Sequence, residues 1–199
     1  LDALRQPLET GECIIARANH RVSYPAEIQL VAAMNPCKCG MAGEPGFTCA
    51  RGPRCVSDYQ ARISGPLMDR IDIRIEVPAV SAADLIRPMA AEASADVARR
   101  VARARQMQEE RFAAAGFQGI RTNARCTTAL IEKCAEPDAA GLQLLRDAAE
   151  KLKFSARGYH RILKVARTLA DLDDKPVVGR LHLAEAISYR IAGERLSAA

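Results

Sequence analysis

Hydrophobic periodicity changes character once along this chain, and that change limits the folds open to it. Up to about residue 78 the apolar residues fall in short runs or alternate with polar ones; beyond it they recur every three to four positions. A period of two belongs to strands and a period of 3.6 to helices. The sequence therefore predicts an α/β unit over residues 1–93 followed by an all-α unit over residues 94–199. With 199 residues, 49% of them hydrophobic, the chain can bury one sizeable core or two small ones.

Within the first unit, Glu12 to Arg17 and Val22 to Leu30 are two partly alternating runs separated by Ala18, Asn19, His20 and Arg21. This pattern predicts a β-hairpin with a polar, basic tip. Its second arm runs on into Leu30, Val31, Ala32, Ala33 and Met34, a short apolar run that suits a strand buried on both faces of a parallel sheet. Asn35-Pro36 stops that strand, since proline lacks the ladder donor. Ligands of open α/β sheets collect at the carboxyl ends of the strands, so Asn35 stands where a phosphate would react; equally, it opens an Asn-Pro turn. Farther on, Ile71, Ile73, Ile75 and Val77 alternate with Asp72, Arg74 and Glu76, the period of a half-buried strand. Arg70 directly precedes them. A rigidly presented arginine can stabilise charge on a phosphoryl group, and a salt bridge to Asp69 or Asp72 is the other use of the same side chain.

Four of the seven cysteines lie close together, Cys37, Cys39, Cys49 and Cys55, spaced as C-x-C, nine residues, C, five residues, C. Four thiolates on a Gly- and Pro-rich loop can close a tetrahedral shell around Zn²⁺. Reduced cysteines without metal are the alternative, because the first pair has one intervening residue where zinc knuckles usually have two. The odd total argues against a secreted disulfide framework. Cys13, Cys126 and Cys134 fall in strand-like and helix-like runs and are expected to pack as small hydrophobes.

Beyond Pro78, Ser94 is a candidate cap for a helix reaching about Ala115, with Val97, Val101, Ala104, Gln108 and Phe112 on one stripe and Gly116 as its stop. Pro88 marks a separate short helix or linker before it. Arg99, Arg100, Arg103, Arg105 and Arg111 cover the other faces, a pattern of a solvated surface or of a track for phosphates. Helix breaks fall near Glu136-Pro137, near Phe154 and across Asp173 to Gly179. Ser155 can cap a helix whose positions Ile162, Val165, Leu169 and Leu172 share a face, which puts Arg157 in its first turn. Free N–H groups there favour an anion, so the guanidinium is a candidate phosphate contact or else a surface arginine. His182 belongs to a final helix starting near Leu181.

The phrases LRQPLETGE, RANHRVSYPAEIQLVAAMNPCKCG, RISGPLMDRIDIRIEVP and SARGYHRILKVARTLADL, spread in order from Leu4 to Arg190, resemble the magnesium-chelatase-like AAA+ ATPases of bacteria, in particular the competence-associated ComM/YifB branch. The resemblance implies a partial AAA+ core followed by an all-α lid. It assigns Asn35 to sensor 1, Arg70 to the arginine finger that reaches a neighbouring subunit's nucleotide, and Arg157 to sensor 2 of the lid. The hairpin becomes the pre-sensor hairpin of ring helicases, with His20 and Arg21 as candidate DNA contacts. ATP and Mg²⁺ are the implied cofactors of the complete protein, with Zn²⁺ on the cysteines. A hexameric homo-oligomeric ring and DNA are the implied partners.

The chain contains no G-x-x-x-x-G-K-[ST]. The resemblance places that loop and the acidic Mg²⁺ motif upstream of Leu1, so the chain is expected to be the later part of the ATPase core plus its lid, inactive by itself. The leading expectation is a DNA-remodelling or branch-migration motor. Alternatives are a chelatase subunit driving Mg²⁺ into a porphyrin and a non-enzymatic zinc-binding module. The formal charge of +5 suits a polyanionic partner or a solvated surface alike. No run of eighteen apolar residues predicts a membrane span, and no leader pattern opens the chain, so a cytoplasmic location is expected.

Overall fold

The computed structural model describes residues 1–40, 42, 49, 51, 52, 54–78, 80, 86 and 92–191. Two compact units part between Ile71 and Asp72; the sequence-based boundary at 93/94 marks instead the start of the long helix of the second unit. Pro88, with the short helix or linker expected around it, lies outside the described residues.

The first unit opens with a 3₁₀ turn over Asp2–Leu4 and helix α1 (Arg5–Thr10). Strands β1 (Glu12–Arg17) and β2 (His20–Pro25) then pair antiparallel, in register from Glu12 with Pro25 to Arg17 with His20. The hairpin is thus formed as its alternating runs predict, with a turn of only Ala18 and Asn19. Its ladder stops one rung past Pro25, where the Ala26 N–H donates to the Gly11 carbonyl at 2.7 Å. Beyond that rung β1 has no residues left to pair with, and the expected strand through Met34 does not form. Val31 is 86% exposed, and Ile28, Leu30 and Met34 are also exposed. Helices α2 (Arg54–Gln60) and α3 (Gly65–Met68) follow. Ser64 caps α3, accepting from the Leu67 N–H at 3.3 Å, and its hydroxyl donates to Asp2.

The second unit is helical. Residues 72–77 do not form the strand that their alternation predicts. Ile73, Ile75 and Val77 are exposed, and no described strand lies beside them. The Arg74 N–H donates instead to the Tyr189 carbonyl at 3.0 Å. A period of two records a preference for a pleated surface, and a strand forms only where a second backbone supplies its hydrogen bonds.

Helix α4 (Ser94–Ala114) matches the predicted span, with Ala93 rather than Ser94 at the cap position. Ala104, Gln108 and Phe112 form its buried stripe, while Val97 and Val101 remain exposed. Then come α5 (Thr128–Cys134), α6 (Ala139–Leu152), α7 (Ala156–Leu172) and α8 (Arg180–Ile191). Side-chain oxygens of Thr127, Asp138 and Ser155 cap α5, α6 and α7 by accepting from the N–H three residues on, at 3.3, 2.7 and 3.0 Å. Such caps satisfy donors that a helix start leaves free. Phe112, Ile131, Leu145, Ile162, Ala166 and Leu183 belong to one apolar core at the centre of these helices. Beside it, the fully buried Asp171 carboxylate accepts from Arg167, Arg111 and Asn123. No helix among the described residues is long and apolar enough to cross a membrane.

Candidate metal centre and nucleotide-sensing residues

The cysteine loop is built from two similar turns. In the first, the Gly40 N–H donates to the Cys37 carbonyl at 3.0 Å; in the second, the Gly52 N–H donates to the Cys49 carbonyl at 2.9 Å. Both glycines hold positive φ, 80° and 71°, which a side chain would disfavour. Each turn presents its cysteine toward the other, and Cys55 joins them from the start of α2, its N–H donating to the Gly52 carbonyl at 3.1 Å. The four sulfurs of Cys37, Cys39, Cys49 and Cys55 lie within 4.8 Å of one another. Two separations are 3.1 Å, Cys37 to Cys39, and 3.0 Å, Cys39 to Cys49. All four thiols are free.

A tetrahedral Zn²⁺ with bonds of about 2.3 Å places its sulfurs about 3.8 Å apart, a value inside the observed spread. The donor set therefore fits a thiolate-loving ion. Without one, the Cys39 thiol against Cys49 pushes the latter's pKa up to about 12, while the backbone N–H of Arg51 pulls the other way. The C-x-C spacing brings its two sulfurs together without obstructing the other two. The sequence signal for this geometry is the repeat Cys-x-x-Gly, at Cys37 to Gly40 and at Cys49 to Gly52.

Of the expected nucleotide-sensing residues, Asn35 and Arg70 belong to the first unit and Arg157 to the second. Asn35 is exposed, two residues before the first cysteine turn. Arg70 is buried at 8% exposure. Its guanidinium donates to the Pro66 carbonyl at 2.7 Å and pairs with Glu9, while its Nε is buried without a partner. The salt bridge anticipated with Asp69 or Asp72 is thus made with Glu9, and Asp72 pairs with Arg161. Arg157 is exposed in the first turn of α7. One residue on, a Cβ at Gly158 would lie 3.3 Å from the Nε and Nη2 of Arg190, so the absent side chain lets a second, buried guanidinium approach this helix start. Arg190 was not anticipated; the small residue inside the first turn was its one sequence signal.

His20 and Arg21 stand just inside the hairpin turn as the first residues of β2, opposite Arg17 and Ala16, and all four are exposed. On α4, Arg99, Arg100, Arg103 and Arg111 are held by Asp96, Glu92, Asp174 and Asp171. Those pairs use up most of the basic face as a track for phosphates. Cys126 packs into the core and half-buried Cys134 packs against it, as expected, whereas Cys13 is half-buried in β1.

Comparison with known proteins places this geometry in a family. Residues 1–85 match the family described as magnesium chelatase, subunit ChlI, and residues 91–190 match its C-terminal part. The chain is 43% identical over 192 residues to competence protein ComM of Haemophilus influenzae, covering 96% of this chain and 36% of that protein. It is 38% identical over 200 residues to an uncharacterised protein of Mycobacterium tuberculosis, covering 98% and 38%. With YifB of Escherichia coli it shares 36% identity over 191 residues, covering 96% and 36%. The chain spans little more than a third of the length of these relatives. It belongs to the magnesium-chelatase ChlI family, on the ComM/YifB branch.

Proposed function

We propose that this chain supplies the sensor residues, finger, pore hairpin and lid of a ring-forming AAA+ ATPase that remodels DNA during competence and recombination. The observation that supports this most is the paired β1–β2 hairpin, whose turn end carries exposed Arg17, His20 and Arg21, in a chain 43% identical to a competence protein. Three basic side chains on a short, rigid ribbon suit contact with a phosphate backbone. In the hexameric ring, Arg70 leaves its pair with Glu9 to reach the nucleotide of the adjoining subunit, while Asn35 serves as sensor 1 and Arg157 as sensor 2. ATP with Mg²⁺ supplies the driving reaction in the complete protein, and the chain alone, which has no G-x-x-x-x-G-K-[ST], hydrolyses none.

Zn²⁺ is part of the same reading, held by Cys37, Cys39, Cys49 and Cys55. When bound, it cross-links the loop that leads from Asn35 toward Arg70. The mutual approach of the four sulfurs supports this assignment.

The test is ATP turnover by the full-length protein, with and without branched DNA, in wild type, Arg70→Ala and His20→Ala/Arg21→Ala. Expected is DNA-stimulated turnover that collapses in the Arg70 variant with ATP binding retained, and that loses its DNA stimulation in the hairpin variant. Turnover indifferent to DNA refutes the DNA motor, and turnover indifferent to Arg70 refutes the finger.

A further inference from the structure

The cysteine loop carries a second chemical feature beside its sulfurs. Lys38, Arg51, Arg54 and Arg62 line a shallow cleft of about 110 Å³ together with Asp58 and Tyr59, and Cys55 contributes to the same wall. All four cations are exposed and Tyr59 is half-buried. Cys55, Asp58 and Tyr59 share one face of α2, and Arg62 follows just past its end.

Some arginines elsewhere in the chain hold carboxylates, Arg70 with Glu9, Arg103 with Asp174 and Arg161 with Asp72. Among the described residues none of the four cleft cations has an ion pair. A metal ion with four thiolates carries a formal charge of minus two and accounts for part of this excess. Among the described residues, the four cations set against that centre and Asp58 still leave a surplus of one positive charge. Like charges gathered around one opening repel each other unless an anion enters it.

We infer that this cleft binds backbone phosphates of single-stranded nucleic acid, with Tyr59 as a stacking face for a base. A basic groove with an aromatic set into it is the general chemistry of single-strand binding. The metal centre serves the cleft by position. Lys38 lies between Cys37 and Cys39, and Arg51 and Arg54 lie between Cys49 and Cys55, so a closed sulfur shell holds three of the cations in place. The contact is separate in sequence from the hairpin and gives the strand a second point of attachment. It deepens the DNA reading above and rests on it.

The experiment is a salt titration of the binding of a fluorescein-labelled single-stranded oligonucleotide of about 20 nucleotides, using the zinc-loaded protein. Wild type, Arg54→Gln/Arg62→Gln and His20→Ala/Arg21→Ala are compared, with bound zinc measured in each. Lys38 and Arg51 are left in place because they lie inside the two cysteine turns, and the zinc measurement controls for the position of Arg54 beside Cys55. Removing two phosphate contacts makes the slope of log K against log salt shallower by about 1.4 and weakens binding by about 25-fold at about 0.1 M salt, relative to about 1 M. Zinc content stays at the wild-type level.

An unchanged slope and affinity in the Arg54/Arg62 variant, with wild-type binding intact, overturns the cleft and leaves the hairpin as the DNA contact. Absence of any wild-type binding overturns the cleft together with the DNA reading. A variant that loses affinity for ATP while keeping its affinity for the oligonucleotide also overturns the proposal, since the cleft then serves a free nucleotide.

Discussion

Replacing Asp171 by alanine is the sharpest perturbation of the helical unit. Its carboxylate is fully buried and receives Arg167 Nε at 3.1 Å, Asn123 Nδ2 at 2.8 Å and the Arg111 guanidinium. Removing one member of a buried ion pair typically costs about 3–5 kcal/mol, because the remaining charge stays desolvated. Two features place this site at the low end. Arg167 keeps a hydrogen bond to the Pro176 carbonyl at 2.7 Å as well as one to the Lys175 carbonyl, and Arg111, 22% exposed, can turn toward water. A loss of about 3 kcal/mol follows. With a urea dependence of about 2 kcal/mol per molar for a unit of this size, the midpoint of the helical signal falls by about 1.5 M. Far-UV circular dichroism in a urea titration reads this directly. A shift below about 0.5 M, with unchanged slope, would refute the argument that Asp171 is the electrostatic tie between α4 and α7.

Three further outcomes are expected. Ser155→Ala removes the acceptor for the Gly158 N–H and lowers stability by about 1 kcal/mol in the same titration; an unchanged midpoint would refute the cap. Burial pushes the Cys126 thiol up to about 11. Its stabilising contribution is therefore complete below the ordinary thiol range and drains away as pH rises through 11, and iodoacetamide at pH 8 should leave Cys126 unlabelled in the native chain while labelling it in urea, as read by peptide mass spectrometry. Cys55→Ser should lower bound zinc from one equivalent per chain to well below one, measured by elemental analysis; full retention would remove Cys55 from the shell.

The parts of the fold legible in the sequence are those whose partners are close in the chain. The β1–β2 hairpin closes over two residues, and the cap at Ser155 reaches three residues ahead, so local pattern and local hydrogen bonds agree. The unbroken apolar run at 30–34 and the alternating one at 70–77 form no strand, because apolar pattern reports a tendency and says nothing of whether another strand is present to pair with. Arg70 shows the same limit at the site. Its place before an alternating run suggested a presented guanidinium, but its partner Glu9 lies 61 residues away, and no local pattern encodes that distance. The four cysteines were legible because ligand spacing is itself local. Missed were the paired Cys-x-x-Gly turns that aim them at one point, and the approach of Arg190 to Gly158, which depends on how α7 meets α8.

The distribution of buried residues gives the proposed metal a structural role in the first unit. Among the described residues, the buried hydrophobic side chains of residues 1–71 are Cys37, Cys55 and Leu67, while the continuous apolar core belongs wholly to the helical unit. Two of those three are proposed zinc ligands. Units of about this size that bury little apolar surface generally depend on a disulfide, a metal or association with another surface, and the thiols here are free. Metal binding then becomes folding free energy for the first unit alone. Removing zinc with a strong chelator should therefore collapse the amide dispersion of residues 1–71 in a two-dimensional NMR spectrum, while signals from α4 through α8 keep their positions. Restoring one equivalent of Zn²⁺ should bring the lost signals back. If the hairpin and α2 signals persist unchanged in the metal-free chain, the first unit is held by other means and the structural role assigned to the cysteine cluster is wrong.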